Sequence, residues 1–184
     1  MLNTVYQLVR PRQFEVVFKD ITMDDKHVIV HPTHLSICNA DQRYYQGLRA
    51  EAVLKKKLPM ALIHEGIGRV IYDPTGHFEQ GTLVVMIPNT PVEQDEIIAE
   101  NYLRSSKFRA SGFDGFMQEY VSMEPDRLVV LPEDINLSVA AFTEIVSVSY
   151  HAIQRFLRFS HERRNVIGVW GDGNLGYITS LLLK

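Results

Sequence analysis

The sequence predicts a mixed fold, in which a barrel-like β domain is followed by the first strand and helix of an α/β domain. Short β-branched and aromatic runs separated by turn residues fill the chain up to about residue 130, and helix-type sequence follows them. Near the C-terminus, an apolar run, a glycine-rich turn and a second apolar run follow one another. With 184 residues, 46% of them hydrophobic, the chain can bury one core of globular size.

Four runs of strand length precede residue 90 and suggest a compact, curved sheet; they are residues 14–18, 27–31, 68–72 and 83–87. Residues 73–76 and 125–126 have the composition of turns, because proline fixes φ and glycine permits a positive φ. Residues 93–111 are polar and irregular, which is typical of a long functional loop. A helix is predicted from Ser138 to about Phe156, where few residues break a helix.

Residues 166–170 are expected to form a buried strand, and a G-x-G-x-x-G turn and an apolar helix come next. In that context the motif allows a tight turn, lets backbone N–H groups approach a pyrophosphate and lets the helix pack closely, although the motif alone is a weak signal. We predict a dinucleotide site made by these residues: Gly171, Gly173, Asn174, Leu175 and Gly176.

The motif lies behind a whole domain's worth of sequence, which predicts that residues 1–150 bind substrate and residues 151–184 begin a nucleotide-binding domain. Such a domain needs several more βα units of about 30 residues each. We therefore expect the chain to be the N-terminal part of a longer enzyme. We also expect the 184 residues alone to be inactive, because one strand and one helix cannot enclose a nicotinamide.

Composition excludes several classes of protein. A net charge of −3 gives no general reason to expect nucleic acid or an anionic membrane as partner. The single cysteine, Cys38, excludes a disulfide framework within the chain. The sequence shows neither a signal-peptide core nor a run of about 18 apolar residues that could span a membrane. Cytoplasm is the expected location.

Four scattered residues have side chains of the types that bind zinc: Cys38, His64, Glu65 and Glu144. Thiolate, imidazole and carboxylate suit a tetrahedral zinc whose fourth position is left for water or substrate. Each residue taken singly also has an ordinary explanation, since a lone cysteine is usually a small buried hydrophobe and a helical glutamate is usually solvated. Composition alone leaves both interpretations open.

Five segments, in this order, resemble motifs of the zinc-dependent medium-chain alcohol and polyol dehydrogenases: residues 36–41 (S-I-C-N-A-D), 64–68 (H-E-G-I-G), 114–120 (D-G-F-M-Q-E-Y), 143–152 (T-E-I-V-S-V-S-Y-H-A) and the glycine turn. The resemblance implies a GroES-like catalytic domain followed by a Rossmann domain. It also implies that Cys38, His64 and Glu144 bind zinc and that Glu65 is an outer or alternating ligand. Zinc would then act as a Lewis acid during hydride transfer.

The chain departs from this family at two places. Ala40 replaces the hydroxyl residue that usually relays the alcohol proton, so Tyr44 or a water becomes the candidate relay, although Tyr44 could equally pack the loop. The lobe that usually carries four cysteines has none, so one catalytic zinc and no structural zinc are expected. Asp41 would orient His64 or the ligand turn, or simply stabilise that turn.

Within the family, residues 40–47, 57–65, 85–89 and 111–117 resemble the bacterial ribulose-5-phosphate reductases of teichoic acid or capsule synthesis. This resemblance implies NADPH as cofactor, a sugar phosphate substrate, a cytidylyltransferase as possible partner and possible homo-oligomers formed through the cofactor domain. Two alternatives stay open, a dehydrogenase of unphosphorylated polyols and an inactive GroES-like binding fragment.

A phosphorylated substrate needs cations near the cleft, and arginine suits phosphate because its guanidinium can bind two oxygens at once. Arg104, Lys107 and Arg109 lie in the predicted polar loop and are the first candidates, although a solvated loop would look the same. Arg43 lies where related dehydrogenases contact the cofactor ribose and is predicted to contact NADPH.

Overall fold

The computed structural model describes residues 1–99 and 102–184. It divides into two compact units, Met1–Ala141 and Phe142–Lys184. The first unit is mainly antiparallel sheet and the second is helical. The division falls within the predicted first domain, and the predicted domain limits of 1–150 and 151–184 remain predictions.

The first unit is built from short strands with three helices of seven residues or fewer among the described residues. In chain order the elements are β1 (Leu2–Arg10), β2 (Gln13–Asp20), β3 (Val28–Ser36), α1 (Asn39–Tyr45), α2 (Glu51–Lys57), β4 (Met60–Ala61), β5 (Glu65–Tyr72), β6 (Leu83–Met86), β7 (Asn89–Thr90), β8 (Lys107–Phe108), β9 (Val121–Met123), β10 (Leu128–Val130) and α3 (Leu137–Ala140). All four predicted strands are present. β2 and β5 extend beyond their predicted runs by one to three residues, β3 begins one residue later and ends five residues later than predicted, and β6 ends one residue early.

Three antiparallel sheets form the described part of this unit. The five-stranded sheet has the order β10-β6-β5-β3-β9, a second sheet has the order β2-β1-β4, and β7 pairs with β8. β8 lies within the predicted polar loop of residues 93–111, and β7 lies just before it. The loop is otherwise irregular where it is described, and its residues 100 and 101 lie outside the described residues. A bridge between Val5 and Gln118 joins β1 to the segment that precedes β9.

The core follows from the alternation of side chains along the strands. One cluster of buried residues includes Val30, Met86 and Phe116 and packs against one face of the large sheet. A second cluster surrounds Tyr44 and Met60, next to the chain segment that connects β4 to β5. This second cluster includes Leu62 and Ile63, the two residues that directly precede His64.

The second unit consists of α4 (Thr143–Phe159) and α5 (Asn174–Leu182), which contact each other. The single helix predicted from Ser138 is two helices, because the backbone of Phe142 (φ −88°, ψ 7°) leaves helical geometry. The prediction of a buried strand over residues 166–170 is wrong for this chain. No described strand pairs with them, and Val166 and Trp170 are each 92% exposed. A strand needs a neighbour to bond its backbone.

Candidate metal centre

Cys38 lies at the point where β3 ends and α1 begins, as the N-cap residue of that helix. Its backbone N–H donates to Oδ2 of Asp41, at 3.0 Å. This is the reciprocal half of a capping arrangement, in which an acidic residue in the first turn satisfies a backbone donor at the start of the helix. The bond fixes the turn from which the thiol projects.

The other oxygen of Asp41 reaches the second ligand segment. Its Oδ1 accepts a hydrogen bond from the backbone N–H of Ile63, at 2.9 Å, and Asp41 is only 3% exposed. One buried carboxyl group therefore joins the residue before His64 to Cys38. Asp41 does orient the ligand turn, and it does so through backbone N–H groups.

Ile63 has a left-handed backbone, with φ at +70°. A β-branched residue rarely adopts this conformation, which costs of order 1–3 kcal/mol and persists only where surrounding contacts enforce it. The strained residue turns the chain immediately before His64 and Glu65, the first residue of β5. Local strain is therefore found at the candidate site.

Three side chains converge here. Sγ of Cys38 lies 3.9 Å from Nε2 of His64, and that nitrogen lies 4.0 Å from Oε1 of Glu65. One ligand atom from each of the three residues lies within 4.8 Å of the others. In a tetrahedral zinc site with Zn–S near 2.3 Å and Zn–N near 2.0 Å, sulfur and nitrogen are about 3.5 Å apart. The donor set and its spacing fit zinc.

Burial disfavours the charged form of all three groups. It raises the pKa of the Cys38 thiol to about 12, with the neighbouring Asp41 carboxyl adding to the effect. It also lowers the pKa of His64 and raises the pKa of Glu65. Two potential anions are thus held where water cannot solvate them well. A divalent cation would supply the missing counter-charge and displace the thiol proton.

Phe108 is a site residue that the sequence did not indicate. Its ring meets the imidazole of His64 edge-on, with ring centroids 5.0 Å apart. Phe108 belongs to β8, which returns from the long loop to pair with β7. The contact joins residues 44 positions apart, so no local sequence pattern predicts it. The loop is thereby tied to the candidate metal centre.

Two other predicted site residues have different surroundings. Tyr44 is 4% exposed and packs among Leu8, Met60 and Leu62, with the guanidinium of Arg49 4.9 Å from its ring centroid. These contacts favour the packing alternative for Tyr44, whose role as proton relay stays a prediction. Glu144 lies in the first turn of α4, in the second unit, and its role as zinc ligand also stays a prediction.

The glycine turn has the geometry that its motif requires. Gly171 has a positive φ of 118°, and Gly173 is the N-cap of α5, which begins at Asn174 and Leu175. A Cβ added at Gly176 would lie 2.0 Å from the carbonyl oxygen of Gly171, so no other residue fits there. A Cβ added at Gly173 would meet nothing within 4 Å. The N-terminus of the helix is therefore open on that side.

The three predicted phosphate ligands differ in environment. Arg104 and Lys107 are exposed. Arg109 instead directs its guanidinium inward, donating to the carbonyl oxygen of Ser122 at 2.7 Å, and burial lowers its pKa to about 10. Arg43 is exposed, and its guanidinium lies 3.3–3.4 Å from the carbonyl oxygen of Leu48. The geometry favours Arg104 and Lys107 over Arg109 for an external anion.

Comparison with known proteins decides the family. The model of the alcohol dehydrogenase GroES-like domain matches residues 24–133, more than half of the chain. The chain belongs to this family. The predicted fold class, a GroES-like domain in a mixed α and β architecture, is thereby confirmed.

The chain is similar to two curated reductases and to one solved structure with a bound nucleotide. The chain is 63% identical over all 184 residues to ribulose-5-phosphate reductase of Bacillus spizizenii and 62% identical to ribulose-5-phosphate reductase 2 of Staphylococcus aureus, covering 54% of each. It is also similar to the crystal structure of S. aureus TarJ in complex with NADPH, with a TM-score of 0.80, 51% identity and coverage of 100% of this chain and 50% of that one.

The chain spans about half the length of the curated relatives that it matches. Among its described residues, no helix is long and apolar enough to cross a lipid bilayer. The predicted resemblance to the zinc-dependent medium-chain dehydrogenases, and within them to the ribulose-5-phosphate reductases, is confirmed.

Proposed function

We propose that this chain is the N-terminal part of a zinc-dependent oxidoreductase that transfers hydride from NADPH to D-ribulose 5-phosphate, giving D-ribitol 5-phosphate. The observation that carries the proposal is 63% identity to a ribulose-5-phosphate reductase over all 184 residues. The convergence of Cys38, His64 and Glu65 supports it independently, because thiolate, imidazole and carboxylate are all side-chain ligands that zinc uses.

Cys38 and His64 would hold the zinc, with Glu65 beside them and Glu144 as the further ligand. Bound zinc would supply Lewis-acid chemistry, polarising the substrate carbonyl. The protein's own contribution is the fixed geometry of the ligand segments, which the two hydrogen bonds to Asp41 maintain. The ring of Phe108 packs against the His64 imidazole.

The cofactor would bind with its pyrophosphate at the start of α5. The N-terminal N–H groups of a helix favour anions, and the open side at Gly173 leaves room for a phosphate to approach them. NADPH is the proposed nucleotide because TarJ, similar over this whole chain, is described with NADPH. Arg43 is the proposed contact to the cofactor ribose.

In the reduction, the hydride goes to the carbonyl carbon and a proton goes to the carbonyl oxygen. Ala40 cannot pass that proton, so we assign the relay to Tyr44 or to water. Exposed Arg104 and Lys107 would bind the 5-phosphate. We further propose that the complete enzyme is cytoplasmic, forms oligomers through its cofactor domain and works beside a cytidylyltransferase in CDP-ribitol and teichoic acid or capsule synthesis.

Two measurements test the proposal. Elemental analysis of the complete enzyme should find one zinc per chain, lost in Cys38→Ala and in Glu144→Ala. NADPH oxidation should require ribulose 5-phosphate, with unphosphorylated ribulose at least tenfold poorer as substrate. Equal rates with both sugars would favour the alternative of a dehydrogenase of free polyols, and absence of zinc from an active enzyme would overturn the metal assignment.

A further inference from the structure

The three residues that precede His64 are held by backbone hydrogen bonds from a distant part of the chain. Gly115 N–H donates to the carbonyl oxygen of Ala61 at 2.8 Å, Met117 N–H donates to Leu62 at 3.1 Å, and Phe116 N–H donates to Ile63 at 2.6 Å. These bonds connect positions more than fifty residues apart. Residues 115–117, which we name the clamp segment, therefore fix the course of the chain into the metal ligand.

The contact between the two segments leaves no room for a side chain at one position. A Cβ added at Gly115 would lie 2.3 Å from the carbonyl oxygen of Ile63 and 2.4 Å from that of Leu62. Real Cβ atoms essentially never come this close to backbone oxygen. Glycine at position 115 is thus required by the approach of the clamp segment to the residues before His64.

Asp114, directly before the clamp segment, completes the attachment. Its Oδ1 accepts a hydrogen bond from the backbone N–H of Ala61 at 2.7 Å and another from Nε2 of Gln7 at 2.8 Å. Its Oδ2 accepts from Nζ of Lys19. The carboxylate thereby joins the β1–β2 hairpin to β4, three residues before the ligand.

Two carboxylates consequently accept backbone hydrogen bonds from the residues just before His64. Asp114 accepts the N–H of Ala61, and Asp41 accepts the N–H of Ile63. Ile63, which directly precedes His64, has an unfavourable left-handed backbone that persists only while surrounding contacts hold it. Loss of either carboxylate should let this backbone relax and move the imidazole.

We propose that Asp114 is a positioning residue for the metal ligand His64, acting through the N–H of Ala61 and the clamp segment. This inference rests on the proposed function in one respect, namely that His64 binds a metal. Asp114 itself touches no reacting group. Residues that hydrogen-bond directly to a metal ligand typically contribute a factor of about 10 to 100 in metal affinity, and Asp114 acts on the backbone three residues before the ligand.

The test is a titration with Co²⁺, whose thiolate charge-transfer and ligand-field absorption bands report the geometry of the site. Asp114→Ala should weaken Co²⁺ binding by about tenfold or more and change the ligand-field bands. The matched control is Asp73→Ala, which also removes an aspartate that accepts three hydrogen bonds, here two from backbone N–H groups and one from a hydroxyl, in a turn between β5 and β6. That variant should lose stability and keep the wild-type affinity and spectrum.

The possible outcomes distinguish the positioning role of Asp114 from the proposed metal site at His64. Unchanged affinity and spectrum in a folded Asp114→Ala variant, or an equal loss in Asp73→Ala, would overturn the positioning role while leaving the metal site intact. Failure of the wild-type protein to bind Co²⁺ would overturn the proposed metal function and this inference with it. If Asp114→Ala does not fold, Gln7→Leu removes one of the bonds to Asp114 and should weaken Co²⁺ binding measurably. Unchanged binding would again refute the role.

Discussion

Replacing Asp41 by alanine should destabilise the first unit strongly, even in the absence of metal. The side chain is 3% exposed and accepts the backbone N–H groups of Cys38 and Ile63. Each buried donor left without a partner costs about 1–3 kcal/mol, so the free energy of unfolding should fall by about 2–6 kcal/mol. For a chain of this size that corresponds to a loss of roughly 4–24 °C in Tm.

The assay is thermal and urea unfolding with a chelator present, so that metal binding does not contribute. Asp95→Ala is the matched control, because Asp95 also accepts two backbone N–H bonds, from Ile97 and Ile98, but in an exposed loop where water can replace it. No measurable change is expected for that control. A change below about 0.5 kcal/mol in Asp41→Ala, the range of ordinary surface substitutions, would refute the reasoning.

Three further predictions concern other parts of the chain. Gly176→Ala should abolish NADPH binding to the complete enzyme and destabilise α5, because the added Cβ collides with the carbonyl of Gly171, whereas Gly173→Ala should leave the helix unchanged in circular dichroism. Arg109→Lys should lower Tm by breaking the bond to the Ser122 carbonyl, while KM for the sugar phosphate stays at the wild-type value. A raised KM would restore Arg109 to the phosphate site. Burial acts to raise the pKa of Asp114, but bonds from Lys19, the Ala61 N–H and Gln7 outweigh it and hold that pKa below its ordinary value of 3.8. The stability that these bonds give is present above pH 3.8 and is lost as the pH falls through the lower, folded pKa, so Asp114→Asn should flatten the acid limb of stability against pH.

The sequence predicted four strands from local runs of β-branched or aromatic residues, and it missed β1 for a physical reason. Inward positions of β1 include Asn3 and Gln7, which interrupt the apolar period. Both are buried because they have specific partners, Gln118 and Tyr120 for Asn3 and Asp114 for Gln7. Those partners lie more than a hundred residues away. A local pattern cannot distinguish such satisfied polar residues from exposed ones.

In the candidate site, too, local sequence features were predictable and contacts between distant segments were not. Residue type and local motif identified Cys38, His64 and Glu65, which the structure brings together. The contact of Phe108 with His64 and the role of Asp114 depend on how distant segments pack, and no spacing in the sequence encodes them. The sequence also could not predict the direction of a side chain. Arg109 lies in the same polar segment as Arg104 and Lys107, but its guanidinium points into the protein.

The exposure of Trp170 gives this chain an optical property. It is the single tryptophan among 184 residues, it is 92% exposed, and it directly precedes the glycine turn. Indole emission excited selectively at the red edge therefore originates only from the second unit, beside the expected nucleotide position. Quenching or energy transfer to a reduced nicotinamide would register occupancy of that turn. Melting of the β-sheet unit would be spectroscopically silent in this channel and would have to be followed by tyrosine emission or circular dichroism.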